Sequence, residues 1–426
     1  AEPRASLPGR LEDAANQDGA AVSMSIIDKF EALAPFRVRS FRFQWPADLL
    51  TSWAFEMEML VLGWYVLVTT DSVILLTAFG ALGFIGTLVA PVFGMLGDRL
   101  GRRTMLCFMR AYYACLAVVT MILGMTDQLT PYFILAISLL AGLVRQSDLV
   151  MRNSLIGDTM PPEHLVRGIG LARTTQDTAR IFGALAGAGL FAAFGIGNTY
   201  IVVAGFYVIS FLLSLGLAQS SQPEEKTSRW RELKEGFVYI WNTPRLLALI
   251  WLAFLINFSA FPFTISLLPF SAKEIYHAGE GGLGTLIAAY ASGAFVGSIL
   301  MATTGGSRKP ATFMFAFALS WYVLLAVFAA ITKIELGLAV LLCIGIVQSF
   351  TMLSMSSLIL GTAAAELRAR VMGVRMLAVY GLGIGLPIAG VLIDAIGYVG
   401  TVWIFAAIDI VAAGAIAFKW RRALWP

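Results

Sequence analysis

The sequence predicts an all-α polytopic membrane protein with twelve transmembrane helices, and three observations carry that prediction. The 426 residues are 58% hydrophobic and only 13% charged, whereas soluble domains carry roughly 25% charged residues. The charges cluster, leaving long apolar tracts free of them. Each tract reaches the length of about twenty residues that a helix needs to cross a hydrocarbon core.

The expected spans are 47–70, 72–94, 104–126, 131–152, 167–194, 197–218, 244–270, 283–303, 311–332, 335–361, 370–394 and 397–418. Residues 1–45 precede them as an N-terminal segment without the basic–apolar–cleavage order of a secretory signal. Within that segment, 24–33 is amphipathic and is a candidate for lying on the inner membrane surface; a leader without fixed structure fits as well. Residues 46–218 form a first six-helix half, 219–243 a polar central loop, and 244–426 a second half with a short tail. In the central loop, 231–240 has helical spacing and mixed charge, as expected of a surface helix.

The two halves repeat. Glu163, Arg167, Gly170 and Gly187 recur as Glu366, Arg370, Gly373 and Gly390, each 203 positions on. Arg102 and Arg103 have a weaker echo in Arg308 and Lys309. A six-plus-six duplication places a binding site between the halves near mid-membrane.

Charge gives the orientation. Basic residues fall in alternate loops: Arg37, Arg39 and Arg42; Arg99, Arg102 and Arg103; Lys226, Arg229, Arg231 and Lys234; Arg308 and Lys309; Arg368 and Arg370; and Lys419, Arg421 and Arg422. The intervening loops hold mostly Asp71, Asp127, Glu274, Glu280 and Glu335, with Lys273 and Lys333 as their cations. The positive-inside rule then puts both termini and the central loop in the cytoplasm, and an even span count agrees.

Several function classes drop out. No basic cluster interleaves aromatics on a folded polar domain, so a nucleic-acid partner is not expected. Cys107, Cys115 and Cys343 lie in apolar spans without paired spacing, and His164 and His277 lie far apart, so neither a disulfide nor a metal site is expected. No phosphate-cradling loop, catalytic dyad or triad is present. An enzyme, an ATP-driven pump and a bound cofactor are therefore not expected.

Residues 94–103 form a basic turn punctuated by glycine, between two apolar runs. Gly94, Asp98, Arg99, Gly101, Arg102 and Arg103 fit the pattern Gly-x-x-x-Asp-Arg-x-Gly-Arg-Arg. This resembles the cytoplasmic loop between the second and third helices of major facilitator superfamily transporters. The echo at 305–309 lacks the aspartate. Further segments are similar to the enterobactin-exporter-like and macrolide-efflux-like branch: Gly63-Trp64-Tyr65-Val66, residues 179–187 from Ala179-Arg180, residues 235–240, and residues 366–373. That branch often has a proline after Arg-x-x-Gly, where this chain has Ala184. The resemblance implies a monomeric secondary transporter in the bacterial inner membrane, exporting a siderophore- or drug-like molecule in exchange for protons. An importer or facilitator of a metabolite or metal–siderophore complex, and a lipid flippase, remain open alternatives. The charge map makes the loop a cytoplasmic joint, with Arg152 or the start of the eleventh span as candidate donors to Asp98.

Ionisable residues inside spans are costly and need a partner or an aqueous face. Glu56 and Glu58 lie near the middle of the first span, about 200° apart around the helix, so only one faces a central cavity. A carboxyl group in an apolar, intermittently wet site holds its proton more tightly, as a proton carrier must. Asp148, Asp177 and Asp409 are further candidates. The fourth span carries Arg145, Asp148 and Arg152, and the fifth carries Arg173, Asp177 and Arg180, each as a plus–minus–plus stripe. The two stripes are expected to pair with each other as a cytoplasmic gate. Trp53, Trp64, Tyr65, Asn257 and Tyr290 are candidate cavity residues. Glycines such as Gly183, Gly187, Gly293, Gly297, Gly381 and Gly385, four residues apart, are expected to let helices touch, with flexing during alternating access as the alternative role.

Overall fold

The computed structural model describes residues 34–87, 89–218, 229–304 and 309–425. These are helical almost throughout, because a backbone in hydrocarbon must satisfy every N–H and C=O internally. Helix α1 (Arg39–Thr70) is the first span. The second is broken into α2 (Val73–Leu82), a 3-10 turn (Ile85–Thr87) and α3 (Ala90–Leu100). Then come α4 (Arg102–Met125), α5 (Pro131–Thr159) and the long α6 (Pro162–Ser214). Gly195 interrupts α6 with φ 72°, so α6 is two spans folded at one glycine. A surface helix α7 (Arg229–Asn242) leads to α8 (Pro244–Ser259), which continues through irregular turns to Ile275. The second half ends with α9 (Glu280–Thr304), α10 (Pro310–Ala330), α11 (Ile334–Thr362), α12 (Arg368–Leu377) running into α13 (Tyr380–Ile396), and α14 (Tyr398–Lys419). Nine described helices meet both length and hydropathy for a crossing. The fold at Gly195, the more polar α1 and the interrupted second span complete twelve.

Three features depart from expectation. The first helix begins at Arg39 rather than near 46, because its early residues have partners: Phe41 is buried beside Ile156 and Met160, and Gln44 Nε2 donates to the Arg152 carbonyl at 2.9 Å. The second span breaks where Gly86 passes so close to the Gly142 backbone that a Cβ would sit 1.9 Å from its carbonyl oxygen. The seventh span is irregular at Pro262 and Pro269, which lack the donor a regular helix needs. The amphipathic stretch 24–33 lies outside the described residues. The expected surface helix is α7. It docks on the start of the eleventh span through Glu235–Arg370 at 2.7 Å, with Gly236 against the Arg370 backbone.

The two halves use the same packing device. Gly183 and Gly187 of α6 press against Trp53 and Met57 of α1, and Gly381 and Gly385 of α13 press against Phe254 and Phe258 of α8. Gly293 meets Leu342, and Gly297 meets Ile346. At these positions a side chain would collide with backbone, so the spacing-of-four glycines serve close helix contact.

Call the end of the bundle holding Arg39 and Leu100 the near end, and the opposite one the far end. At the far end the halves are joined. Asp71 pairs with Lys273, and Trp64 Nε1 donates to Glu280 Oε1 at 3.1 Å. Gly80 packs on Ser266, and Gly390 on Thr77.

Candidate functional site

At the depth of mid-α1 lies a cavity whose near-end part sits within the first half and whose far-end part lies between the halves. Its near-end part is walled by Thr51, Ser52, Glu56, Arg145, Gln176 and Arg180, among others. Its far-end part extends to Leu76, Phe79, Phe84, Ser266, Ile287 and Tyr290, and comprises about 1040 Å³ of space between atoms, open solvent included. Glu56, Arg145, Arg180 and Phe55 belong to both parts. The cavity therefore has a charged floor and an apolar roof.

Helix α1 supplies the centre. Residues 52, 55, 56 and 59 share one face by helical spacing, and that face looks between the halves. Glu56 Oε1 lies 3.7 Å from Arg180 Nε. Glu58 points into the first half, where Tyr200 and Tyr207 donate to its two oxygens at 3.3 and 3.0 Å. It is buried while still reaching the cavity edge. Arg145 lies over the Phe55 ring and 3.3 Å from the Met59 sulfur. It forms no ion pair among the described residues.

Towards the near end, the charges are locked into one buried network. Arg110 pairs with Asp48 and donates to Ser214 Oγ at 2.6 Å. Arg152 bridges Asp148 at 2.5 Å and Asp48 at 3.6 Å. It also donates to Ser52 Oγ at 3.1 Å. Burying this many charges is tolerable because each has a counter-charge, and Arg110 and Arg152 have a serine hydroxyl as well.

The two plus–minus–plus stripes do not pair with each other. Each turns to α1 instead, Arg152 to Asp48 and Arg180 to Glu56, while Arg173 and Asp177 pair within their own helix at 3.4 Å. The reason is geometric: α1 packs along α6 and beside α5, so it offers the nearer carboxylates. Arg152, expected to receive Asp98, is thus already committed to Asp48 and Asp148. The side chain of Asp98 and the surroundings of Gly94 lie outside the described residues. Of the rest of that loop, Gly101 turns the chain with φ 88°, Arg102 pairs with Asp158, and Arg103 donates to the Leu215 carbonyl at 2.6 Å. Arg99 is exposed.

Of the candidate cavity residues, Tyr290 lines the wall and four others do not. Trp53 packs between Phe182 and Phe206. Trp64 joins the halves at the far end. Tyr65 donates to the Leu129 carbonyl at 3.0 Å, and Asn257 donates back along its own helix to Ala253 at 2.8 Å. Aromatic type alone could not separate lining from packing. Asp409 is 1% exposed inside the second half, away from the cavity wall. Asp48 and Arg110, which head the buried network, carried a sequence signal: Arg110 is a lone charge in an apolar run and demands a partner. Tyr200 and Tyr207 carried none.

Twelve spans in two halves around a polar, mid-depth cavity, joined at one end, define a multi-pass membrane transporter. The chain belongs to the Major Facilitator Superfamily, whose family model matches residues 45–386, and it is accordingly not an enzyme. It is 24% identical over 232 residues to the uncharacterised MFS-type transporter YfmI of Bacillus subtilis (strain 168), covering 53% of this chain and 57% of that one. With YfiS of the same organism it shares 24% over 165 residues, 37% of this chain and 38% of that protein. The chain thus spans 38% and 57% of the length of these two relatives. The fold resembles the nucleoside transporter NupG with TM-score 0.70, 16% identity and coverage of 91% and 99%. It also resembles a bacterial homologue of the human lysosomal transporter Spinster, inward-facing and unoccupied, with TM-score 0.71, 14% identity and coverage of 90% and 97%. A D-xylose–proton symporter gives TM-score 0.67, 12% identity and coverage of 88% and 96%. At these identities the structures show a shared fold.

Proposed function

We propose that the protein is a proton-coupled transporter working by alternating access, exporting a bulky small organic molecule, siderophore- or drug-like, across a bacterial inner membrane. The observation that carries the coupling is Glu56, a mid-span carboxylate on the cavity wall held by Arg180. A proton arriving on Glu56 cancels that attraction and frees Arg180, so protonation and cavity shape are linked. The export direction rests on the resemblance of residues 179–187 and 366–373 to the exporter-like branch. The positive-inside reading makes the near end cytoplasmic, and the closed far end then corresponds to a cavity presented to the cytoplasm. Both termini are cytoplasmic in this reading, and the protein works as a monomer.

The test is accumulation of siderophores and macrolides by everted vesicles under an imposed proton gradient. Gradient-dependent accumulation that Glu56→Gln abolishes is the expected result. If no solute accumulates, and Glu56→Gln, Asp148→Asn and Asp177→Asn leave secretion or resistance unchanged, proton-coupled export is wrong. One observation favours the second reading, uptake: Arg145 has no carboxylate in direct contact, Glu56 and Glu58 acting on it only through space. An anion bound there is helped by a proton on Glu56, and binding free energies are reciprocal, so proton and solute would load together.

A further inference from the structure

We propose that the solute carries an anionic group that docks on Arg145, with its apolar body against the far-end wall of the cavity. The inference rests on the cavity being the solute's path, as above, and holds for either direction of transport.

The guanidiniums around the cavity are not equivalent. Arg152 has Asp48 and Asp148, and Arg180 has Glu56. Arg145, midway along α5, has the face of the Phe55 ring and a thioether sulfur. Two carboxylates act on Arg145 through space, but Glu56 is paired with Arg180, Glu58 takes hydrogen bonds from two tyrosines, and neither forms an ion pair with Arg145. A guanidinium at mid-membrane depth with no carboxylate in direct contact is costly, and a carboxylate or sulfonate offers it paired, parallel hydrogen bonds.

The opposite wall supplies a second, independent indication. Tyr290 is 2% exposed and Ser266 6% exposed, both line the cavity, and the Ser266 hydroxyl has no hydrogen-bond partner among the described residues, whereas the Tyr290 hydroxyl has Thr264 beside it. Buried polar groups in native proteins are nearly always satisfied. A solute with an acceptor oxygen would satisfy the Ser266 hydroxyl. Between the two walls, Phe55, Phe79, Phe84 and Ile287 offer apolar surface suited to a ring. The solute class is an amphiphilic organic anion, an aromatic carboxylate being the simplest member.

Three isosteric probes test this: 2-naphthoate, 2-naphthamide and 2-naphthylmethylammonium. Their binding to the purified full chain is titrated in nanodiscs at neutral pH by tryptophan fluorescence and thermal stabilisation, since binding shifts stability by mass action. Naphthoate is expected to bind at least about tenfold more tightly than the amide, a difference of about 1.4 kcal/mol, and the cation more weakly still. Arg145→Gln is expected to bring naphthoate and naphthamide within about twofold, a few tenths of a kcal/mol, while naphthamide affinity stays put and so shows that the variant is folded. Arg145→Lys should keep part of the preference. Equal affinity for acid and amide, preference for the cation, no saturable binding of any probe, or an anion preference surviving Arg145→Gln overturns the proposal. The measurement uses no proton gradient. An anion preference in a protein whose transport ignores protons sinks the coupling alone, whereas proton-driven transport without that preference sinks the charge assignment alone.

Discussion

The two halves share an architecture but bury different chemistry. Among the described residues, the first half buries Asp48, Glu58, Arg110, Asp148 and Arg152, whereas Asp409 is the buried charged residue of the second. Where the first half is cross-linked by ions, the second is filled by rings. Phe258 stacks on Phe405 at 5.6 Å, Phe405 meets Phe263 edge-on, and Phe263 meets Tyr398. Duplication of a helix bundle fixes where helices cross, and the small-residue contacts at those crossings recur in both copies. It does not fix what fills the space between, so one copy can keep charges that respond to protons while the other serves as an apolar counterpart.

Removing a charge from the ionic half should produce the largest effect. Asp48→Ala strands Arg110, which is 0% exposed, and loss of one partner from a buried pair costs about 3–5 kcal/mol. Thermal unfolding should show a severe loss, and Asp48→Asn combined with Arg110→Gln should recover much of it. By contrast, Asp409→Leu in the second half should be neutral or stabilising. The Asp409 Oδ1 oxygen has no partner, and an unpaired buried polar group is a cost rather than a gain. If the two variants behave alike, the contrast between the halves is broken.

Packing at the shared crossings should matter next. Gly385→Ala would bring a methyl group within 1.8 Å of the Phe258 carbonyl oxygen, and Gly187→Ala within 2.9 Å of the Met57 Cα. Overpacking costs about 1–3 kcal/mol, so both should lower the unfolding temperature, Gly385→Ala the more. A larger loss at Gly187 would mean that the crossings are less alike than their glycines suggest.

Much of this was legible beforehand. Apolar runs between charge clusters located the twelve crossings, because hydrocarbon penalises charge wherever it falls. Glycines four apart announced close helix contacts, though not which helices meet there, and a separation of two residues foretold that Glu56 and Glu58 would diverge. Partner choice was not legible. Whether Arg152 meets Asp98, Asp177 or Asp48 depends on which helices are neighbours in space, and helical spacing within one span holds no such information. Trp53 and Trp64 failed as cavity candidates for the same reason: a ring that packs and a ring that lines look identical in sequence.

The smallest effect is expected at the far-end link. Lys273→Glu should break the pairing with Asp71, but Asp71 is largely exposed (79%), and surface pairs contribute less than about 1 kcal/mol. Stability should hardly change. Accessibility of a cysteine placed at Ser266 to an impermeant thiol reagent should rise, and Asp71→Lys combined with Lys273→Glu should restore protection. Unchanged accessibility would remove the link from any part in holding the halves together.

Central to this reading is a proton site in the ionic half, at Glu56. Proteoliposomes loaded with a pH-sensitive dye test it most directly, using the compound that everted vesicles accumulate most. Solute-driven proton flux should appear with the unaltered protein and with Asp409→Asn. It should vanish with Glu56→Gln, which should still exchange solute for solute. Flux that survives Glu56→Gln, or that is lost with Asp409→Asn, would contradict the claim.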